Sequence, residues 1–306
     1  MKRFTSMTTT QIARICGVSQ GTVDRALHNR AGIQAETRDR ILEVAKEFAY
    51  VPSVKGAQPN GKSMLIGVVL YDLYNTFFSK LAMSLVNAFQ EVGYSVIFLF
   101  SNKEPAAERS AVDYFNYIGV DGIVLFPIGS DDGDYLSYLK SILRPTVTIG
   151  NRMEGMTYIG VDDEKAMYDL TMSMPRAEGE LIYFSPILKK ELHSLNAQRM
   201  RFDGFRRAAE ECGCRWRVAT DETELFADCA GIVCSTDHYV LRVLKHFGMS
   251  CPFALAGFDH APALLDADTK IMTVDYSTDC IAKECRNYIL RRTYQSKIEH
   301  RVMKPN

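Results

Sequence analysis

Apolar positions follow one pattern up to about residue 50 and another from Met64 onward, and the change separates two kinds of structure. In residues 8–27 they recur at helical spacing: Ile12, Ala13 and Ile15 on one short segment, Val23, Ala26 and Leu27 on the next. Gly17 stands between them, where a left-handed backbone that only glycine adopts cheaply ends a helix. Val18 is apolar and plugs the turn, and Ser19 is placed to cap the second helix. A third amphipathic segment, at about 36–50, turns Ile41, Leu42, Val44, Ala45 and Phe48 inward and stops before Pro52.

From Met64 onward, short apolar runs alternate with longer amphipathic stretches. The runs predict strands at 64–70, 94–100, 122–126 and 146–149, then at 180–184, 215–219, 231–234 and 253–256. Helices are predicted between them at about 76–92, 105–118, 133–143, 195–212 and 238–247, with one more at 164–174. Strands that are apolar on both faces belong in a parallel sheet covered by helices. The second set repeats the first, so the expected fold is α/β: a three-helix headpiece (1–52), a hinge (53–62), and two Rossmann-like parallel-sheet lobes (63–306).

Composition is that of a folded globular protein, 47% hydrophobic and 24% charged over 306 residues. No apolar stretch approaches the roughly 20 residues of a membrane helix, and no apolar segment follows Lys2 and Arg3 as in a signal peptide. The expectation is a cytoplasmic protein with no membrane partner. Its eight cysteines contain no Cys-x-x-Cys, and Cys212-Gly213-Cys214 is too close for zinc spacing, so they read as structural thiols with no metal and no cofactor.

Charge is distributed unevenly. Residues 1–60 hold nine Lys/Arg against five Asp/Glu, a surplus of +4 in a chain whose net charge is −1, so the remainder carries −5. Two short helices joined by a tight glycine turn form a helix-turn-helix, and a basic head on an acidic body suits phosphate attraction confined to one end. Gln20, Gly21 and Arg25, on the outer face of the second helix, are the candidate base readers. Arg14, Ser19 and Thr22 are candidate phosphate contacts, and Thr10, Asn29 and Lys55 complete the DNA-binding set. Asp24 is out of place near phosphate and is expected to pair with a base or an Arg.

The order of motifs resembles the LacI/GalR family of bacterial regulators. Thr8 through Leu27 follows the family's helix-turn-helix pattern, Thr37-Arg38 opens a helix, and Tyr50-Val51-Pro52-Ser53 closes the headpiece. Asn75-Thr76-Phe77-Phe78, Val120-Asp121-Gly122-Ile123-Val124, Arg201-Phe202-Asp203-Gly204-Phe205 and Gly257-Phe258-Asp259 are similar to later family motifs. The resemblance implies a homodimer on a near-palindromic operator, and a repressor more than an activator. It also implies a periplasmic-binding-protein-like body, with a proximal lobe at about 63–160 and 277–294 and a distal lobe at about 161–275 and 298–306. A small, sugar-like effector would bind between the lobes.

In such sheets ligands bind beyond the carboxyl ends of the strands. Asp259 and Arg201 are the expected main polar grips, supported by Arg152 and Asn75, with Phe77 or Phe78 against the apolar face of a sugar ring. Thr236 and Tyr276 depart from the residues the family commonly has at ligand-facing positions, which argues against a standard pentose or hexose. Asp162-Asp163 reads as a helix cap. Alternatives are a regulator controlled by a protein partner and a sugar-binding protein without a DNA role.

Two motifs are decoys. Gly56 through Ser63 matches the nucleotide-binding pattern G-x-x-x-x-G-K-S, but an apolar strand rather than a helix follows it. Asp237-His238 and Asp259-His260 come with no nucleophile elbow or metal motif, so no enzyme is expected. In the linker, Gly56 and Pro59 stand where the family has a hinge helix and its Leu wedge, so that helix is expected to form less well.

Overall fold

The structure, a computed structural model, describes residues 8–27, 30–47, 62–128, 133–142, 144–175, 177–189, 196–248, 251–261, 264 and 271–304. Internal contacts divide the chain into two units, Met1–Lys62 and Ser63–Asn306. Asn29, Phe48, Lys55, Gly56 and Pro59 lie outside the described residues.

The first unit holds three helices, α1 (Thr9–Cys16), α2 (Gln20–Leu27) and α3 (Ala35–Glu47). Thr8 opens α1 with a reciprocal capping box to Gln11, and Gly17 closes it at φ 60° with its N–H on the carbonyls of Ala13 and Arg14. Ser19 Oγ accepts from Thr22 N at 3.1 Å and so caps α2. The core is Ile12, Ala13, Cys16, Val23, Ala26, Ile41 and Ala45, with Val18 against it. Two residues expected inside are outside: Ile15 is 52% exposed and Leu42 is 42% exposed. With Ile12 and Cys16 one turn apart on the buried stripe, Ile15 rotates off it, and Leu42 does so beside Ile41.

Among its described residues the second unit contains two large sheets and one two-stranded sheet. The first runs in the order β2 (Ser95–Phe100), β1 (Leu65–Leu70), β3 (Gly122–Leu125), β4 (Thr146–Thr148), β5 (Thr157–Tyr158), all parallel. It carries α4 (Thr76–Gln90), α5 (Pro105–Ile118), α6 (Gly133–Ser141) and, later in the chain, α10 (Thr278–Ile289). A short pair joins β6 (Gly160–Val161) to β12 (Lys297–Ile298). The second sheet runs β13 (His300–Met303), β11 (Ile271–Tyr276), β10 (Ala254–Phe258), β9 (Gly231–Cys234), β7 (Glu180–Phe184), β8 (Arg215–Ala219), parallel except for β13 against β11. Its helices are α7 (Asp163–Ser173), α8 (Asn196–Glu211) and α9 (Asp237–Phe247).

The chain returns to the first sheet through α10, which packs on α4, where Ser84 Oγ meets Thr278 Oγ1 at 2.9 Å and Asp279 Oδ1 at 2.6 Å. Helices α7 and α8 cross closely at Gly204, where a Cβ would fall 2.1 Å from the carbonyl oxygen of Glu164. Among the described residues no helix is long and apolar enough to cross a membrane. The strand β1 follows directly on Lys62-Ser63-Met64, and the Ser63 and Met64 amides donate to the Asp121 carboxylate, each at 3.0 Å. Among the described residues, the motif's Lys62-Ser63 leads into a strand and not into a helix N-terminus of the kind that cradles a phosphate.

Candidate functional site

The headpiece presents one polar face. Thr10, Arg14, Ser19, Gln20, Gly21 and Arg25 are exposed and Thr22 is half-buried, while Val23 and Ala26 turn inward. Gln20 Nε2 donates to Thr9 Oγ1 at 2.9 Å, tying the start of α2 to the start of α1. At Gly21 a Cβ would meet nothing nearer than Ser19 Oγ at 3.8 Å, so the backbone there is open to close approach. Asp24 pairs with Arg30 at 3.1 Å, which accounts for a carboxylate on a basic face.

The second unit encloses a cavity of about 270 Å³ at the carboxyl ends of strands from both sheets. One wall is aromatic. Tyr71 follows β1, Phe126 follows β3, and Asn75 caps α4 by accepting from Phe77 N at 3.0 Å, which fixes Phe77 and Phe78 on the first turn. The rings of Tyr71, Phe78 and Phe126 lie 4.8–5.7 Å apart, and Phe77 reaches Tyr276 at 5.6 Å. Asn151, after β4, is buried. Its Nδ2 donates to Tyr71 Oη and Pro127 O, both at 2.8 Å, and its Oδ1 accepts from Ala197 N at 3.2 Å.

The opposite wall is ionic. Arg201, on α8, is 6% exposed. Its Nε donates to Asp163 Oδ1 at 2.7 Å, Nη1 donates to Ser235 O at 2.9 Å, and Nη2 lies 3.5 Å from Asp259 Oδ1. The guanidinium sits over the Phe258 ring, 3.7 Å from its centre. Tyr276 Oη donates to Asp259 Oδ1 at 2.9 Å. Asp259 and His260 both have positive φ, 102° and 49°, an uncommon pair of conformations for residues with side chains. The Asp259 N–H to Val274 O (3.1 Å) and the His260 N–H to Thr273 Oγ1 (3.2 Å) hold that turn.

Burial sets the electrostatics of this wall. It pushes Asp259 up to about 6, against the opposing pull of Arg201 and the Tyr276 hydroxyl. Burial also raises Asp163, again opposed by Arg201. For Arg201 burial alone would lower the value, but Asp163 and Asp259 more than offset it and the guanidinium is held charged. Beside the cavity, burial pushes Asp237 up to about 8, although the carboxylate accepts from Ala261 N at 2.7 Å and from Thr273 Oγ1 at 2.9 Å.

Seven residues expected at the effector site line this cavity: Asn75, Phe77, Phe78, Arg201, Thr236, Asp259 and Tyr276. Arg152 does not. Its guanidinium stacks 4.5 Å from the centre of the Tyr158 ring, and it lines a separate depression with Asp162, Tyr294 and Lys297. The aromatic face fixes the long side chain on the outside. The expectation for Asp162-Asp163 divides: Asp162 caps α7 through Lys165 N at 3.1 Å, whereas Asp163, the first helical residue, turns in to Arg201. Tyr71, Asn151, Tyr158 and Gln198 line the cavity and were not anticipated. Tyr71 and Asn151 were findable, since both closely follow a predicted strand. Gln198 is one turn before Arg201 on α8 and carries no such signal.

The family model for bacterial regulatory proteins of the lacI family matches residues 8–53. The chain carries a LacI-family helix-turn-helix domain. It is 28% identical over 211 residues to the HTH-type transcriptional regulator DegA of Bacillus subtilis, a match covering 66% of this chain and 60% of DegA. It is 23% identical over 280 residues to the HTH-type transcriptional regulator TreR of Salmonella typhimurium, covering 88% of each. A solved complex of the transcriptional regulator CelR with cellobiose shares the fold, with a TM-score of 0.61 and 18% identity over 97% of this chain and 98% of that one. The LacI-type headpiece and the two-lobed body are thus parts of one known architecture.

Proposed function

We propose that this protein is a sequence-specific transcription regulator of the cytoplasm. A homodimer places one headpiece on each half of a near-palindromic operator, and a small sugar-like effector in the cavity of the second unit sets operator affinity. Gln20, Gly21 and Arg25 read bases, and Thr10, Arg14, Ser19 and Thr22 hold phosphates. Asn75, Phe77, Phe78, Arg201, Thr236, Asp259 and Tyr276 hold the effector. The protein is a regulator rather than an enzyme, as its relatives are named.

The observation that carries the reading is the cavity wall itself. Buried carboxylates and a guanidinium face an aromatic wall across a space that suits one small ring, just below the roughly 300–1,000 Å³ usual for ligand pockets. An aromatic face takes the C–H side of a polyol while carboxylates take its hydroxyls. Because the cavity lies between two sheets, an occupant that favours one relative angle shifts the population toward it.

The test is binding-site selection from random DNA, followed by mobility shifts on the selected site with and without a panel of sugars. Selection of a near-palindrome and a sugar-dependent change in affinity are expected. Failure to enrich any sequence would overturn the DNA role. Enrichment with no response to any small molecule would favour control by a protein partner.

A further inference from the structure

We propose that the cavity selects a donor-rich ligand without anionic groups (a free sugar, sugar alcohol or amino sugar of one-ring size) and rejects sugar phosphates and sugar acids. The proposal rests on the reading of this cavity as the effector site, and it follows from which hydrogen-bonding atoms are already engaged.

The buried cation and the helix-start amides best suited to an anion are engaged from within. Arg201 is the buried cation among the described lining residues, and three of its nitrogens face Asp163, Ser235 O and Asp259. Helix N-termini commonly supply a phosphate site. Here the Phe77 amide at the start of α4 is taken by Asn75 Oδ1, and the Ala197 amide at the start of α8 by Asn151 Oδ1. Helix α7 opens on buried Asp163, which is paired with Arg201 and places an acid at the positive end, and α9 opens on buried Asp237, whose carboxyl is bonded to Ala261 N and Thr273 Oγ1. The hydroxyls of Tyr71 and Tyr276 donate to Pro127 O and Asp259.

The acceptors, in contrast, are open. Asp163 and Asp259 use Oδ1 for the internal network, and the Oδ2 of each has no hydrogen bond among the described residues. Gln198 Oε1 is buried and has no partner among them. Charge agrees with this census. Asp72, Asp163 and Asp259 line the cavity against Arg201, Lys103 and the imidazole of His238, and Lys103 and His238 stand exposed, where solvent screens them. An incoming phosphate would meet two buried carboxylates with their counter-charge already shared. A hydroxyl or ammonium would give those carboxylates the donors they lack.

The experiment is calorimetry on the full chain with matched sets on one skeleton: glucose, glucitol, glucosamine, glucose 6-phosphate and glucuronate, then the galactose, mannose and ribose counterparts. On any skeleton that binds, the neutral or amino member should bind roughly tenfold or more tightly than its phosphate or acid. An anionic member that binds equally or better would overturn the charge assignment and leave the effector site standing. If no set binds, the reading of the cavity falls, and the proposal with it.

A gain-of-function arm uses inorganic phosphate at constant ionic strength. The unmodified chain should show no saturable binding, whereas Asp163→Asn, or Asp259→Asn if the first fails to fold, should acquire it by releasing Arg201. Phosphate binding by the unmodified chain, or no gain in a folded variant, would also overturn the charge assignment.

Discussion

The two units prepare for their ligands in opposite ways. In the headpiece the side chains proposed to meet DNA are exposed or half-buried, and a small core of Ile12, Ala13, Cys16, Val23, Ala26, Ile41 and Ala45 positions them from behind. In the cavity the polar groups proposed to hold the effector are buried and bonded to one another. A headpiece residue is therefore expected to affect binding with little effect on folding. A cavity residue is expected to affect both, because the network that meets the ligand also holds α7, α8, β9, β10 and β11 together.

The largest effect that would break this contrast is at Arg201. Removing one partner of a buried ion pair leaves uncompensated charge and costs about 3–5 kcal/mol. Arg201→Ala strands Asp163 and Asp259 together, so urea unfolding of the second unit should shift by about that amount and the effector response should vanish. A variant that unfolds like the unmodified chain would mean the network carries no stability. The contrast between the units would then be one of exposure alone.

The pH dependence comes next. Asp259 and Asp237 have raised values in the folded protein, about 6 and about 8, against 3.8 as the ordinary value. Between the ordinary and the raised value the folded state binds more protons than the unfolded one, so stability falls as pH rises. For these two groups the fall begins near pH 4 and continues to about pH 6 for Asp259 and about pH 8 for Asp237. On the scale of about 1.4 kcal/mol per unit, Asp259 accounts for roughly 3 kcal/mol. Thermal unfolding from pH 4 to pH 8 should show the decline, and Asp259→Asn and Asp237→Asn should each flatten it. An unchanged slope in both would show that other groups set it.

Gly204 separates packing from chemistry in the same wall. It touches no ligand position, yet a Cβ there would fall 2.1 Å from Glu164 O and 3.0 Å from Tyr168 N. Backbone atoms cannot swing aside, so α7 must move from α8 and carry Asp163 away from Arg201. Gly204→Ala should cost about 1–3 kcal/mol, in the range of overpacked cores, and weaken effector binding as well. Loss of stability with normal effector affinity would show that the Asp163–Arg201 contact tolerates displacement.

The sequence was most legible where local chemistry decides. Gly17, Ser19 and Asp162 each mark a helix end through a hydrogen bond with a nearby residue, so a single line of sequence suffices. Eight strands followed from apolar runs, whereas β11 and the short β5, β6, β12 and β13 did not, and the strand-end rule led to Asn75, Thr236 and Asp259. The cavity was less legible where side-chain direction decides. Asp162 and Asp163 are adjacent acids at one helix start, and only the path of α8 across α7 determines which one turns inward. Arg152 fails for a similar reason: it follows β4, but Tyr158 offers its ring outside the cavity. Ile15 and Leu42 were misplaced because three-residue and four-residue spacings diverge on a helix barely two turns long or one packed on a single edge.

The headpiece side of the contrast is tested with Arg25. It is exposed on α2 and makes no contribution to the buried core, so Arg25→Ala should leave stability within about 0.5 kcal/mol. Operator affinity should fall by about 1–3 kcal/mol, with sequence preference relaxed at one base pair. Unchanged binding-site selection would remove α2 as the reading helix.

Asp24 should give the smallest effect and the finest test. Its pair with Arg30 has side chains 40% and 54% exposed, and such pairs contribute about 0–1 kcal/mol. Asp24→Asn should therefore barely move the unfolding midpoint. It removes a negative charge near the expected phosphate contacts and leaves Arg30 without that partner, so affinity should rise by a similar small factor on operator and random DNA alike, with a steeper salt dependence. If instead affinity rises on random DNA and not on the selected operator, Asp24 acts by discriminating against the wrong base. In that case even an exposed headpiece residue would be doing what the buried carboxylates do in the cavity, excluding the wrong partner by charge.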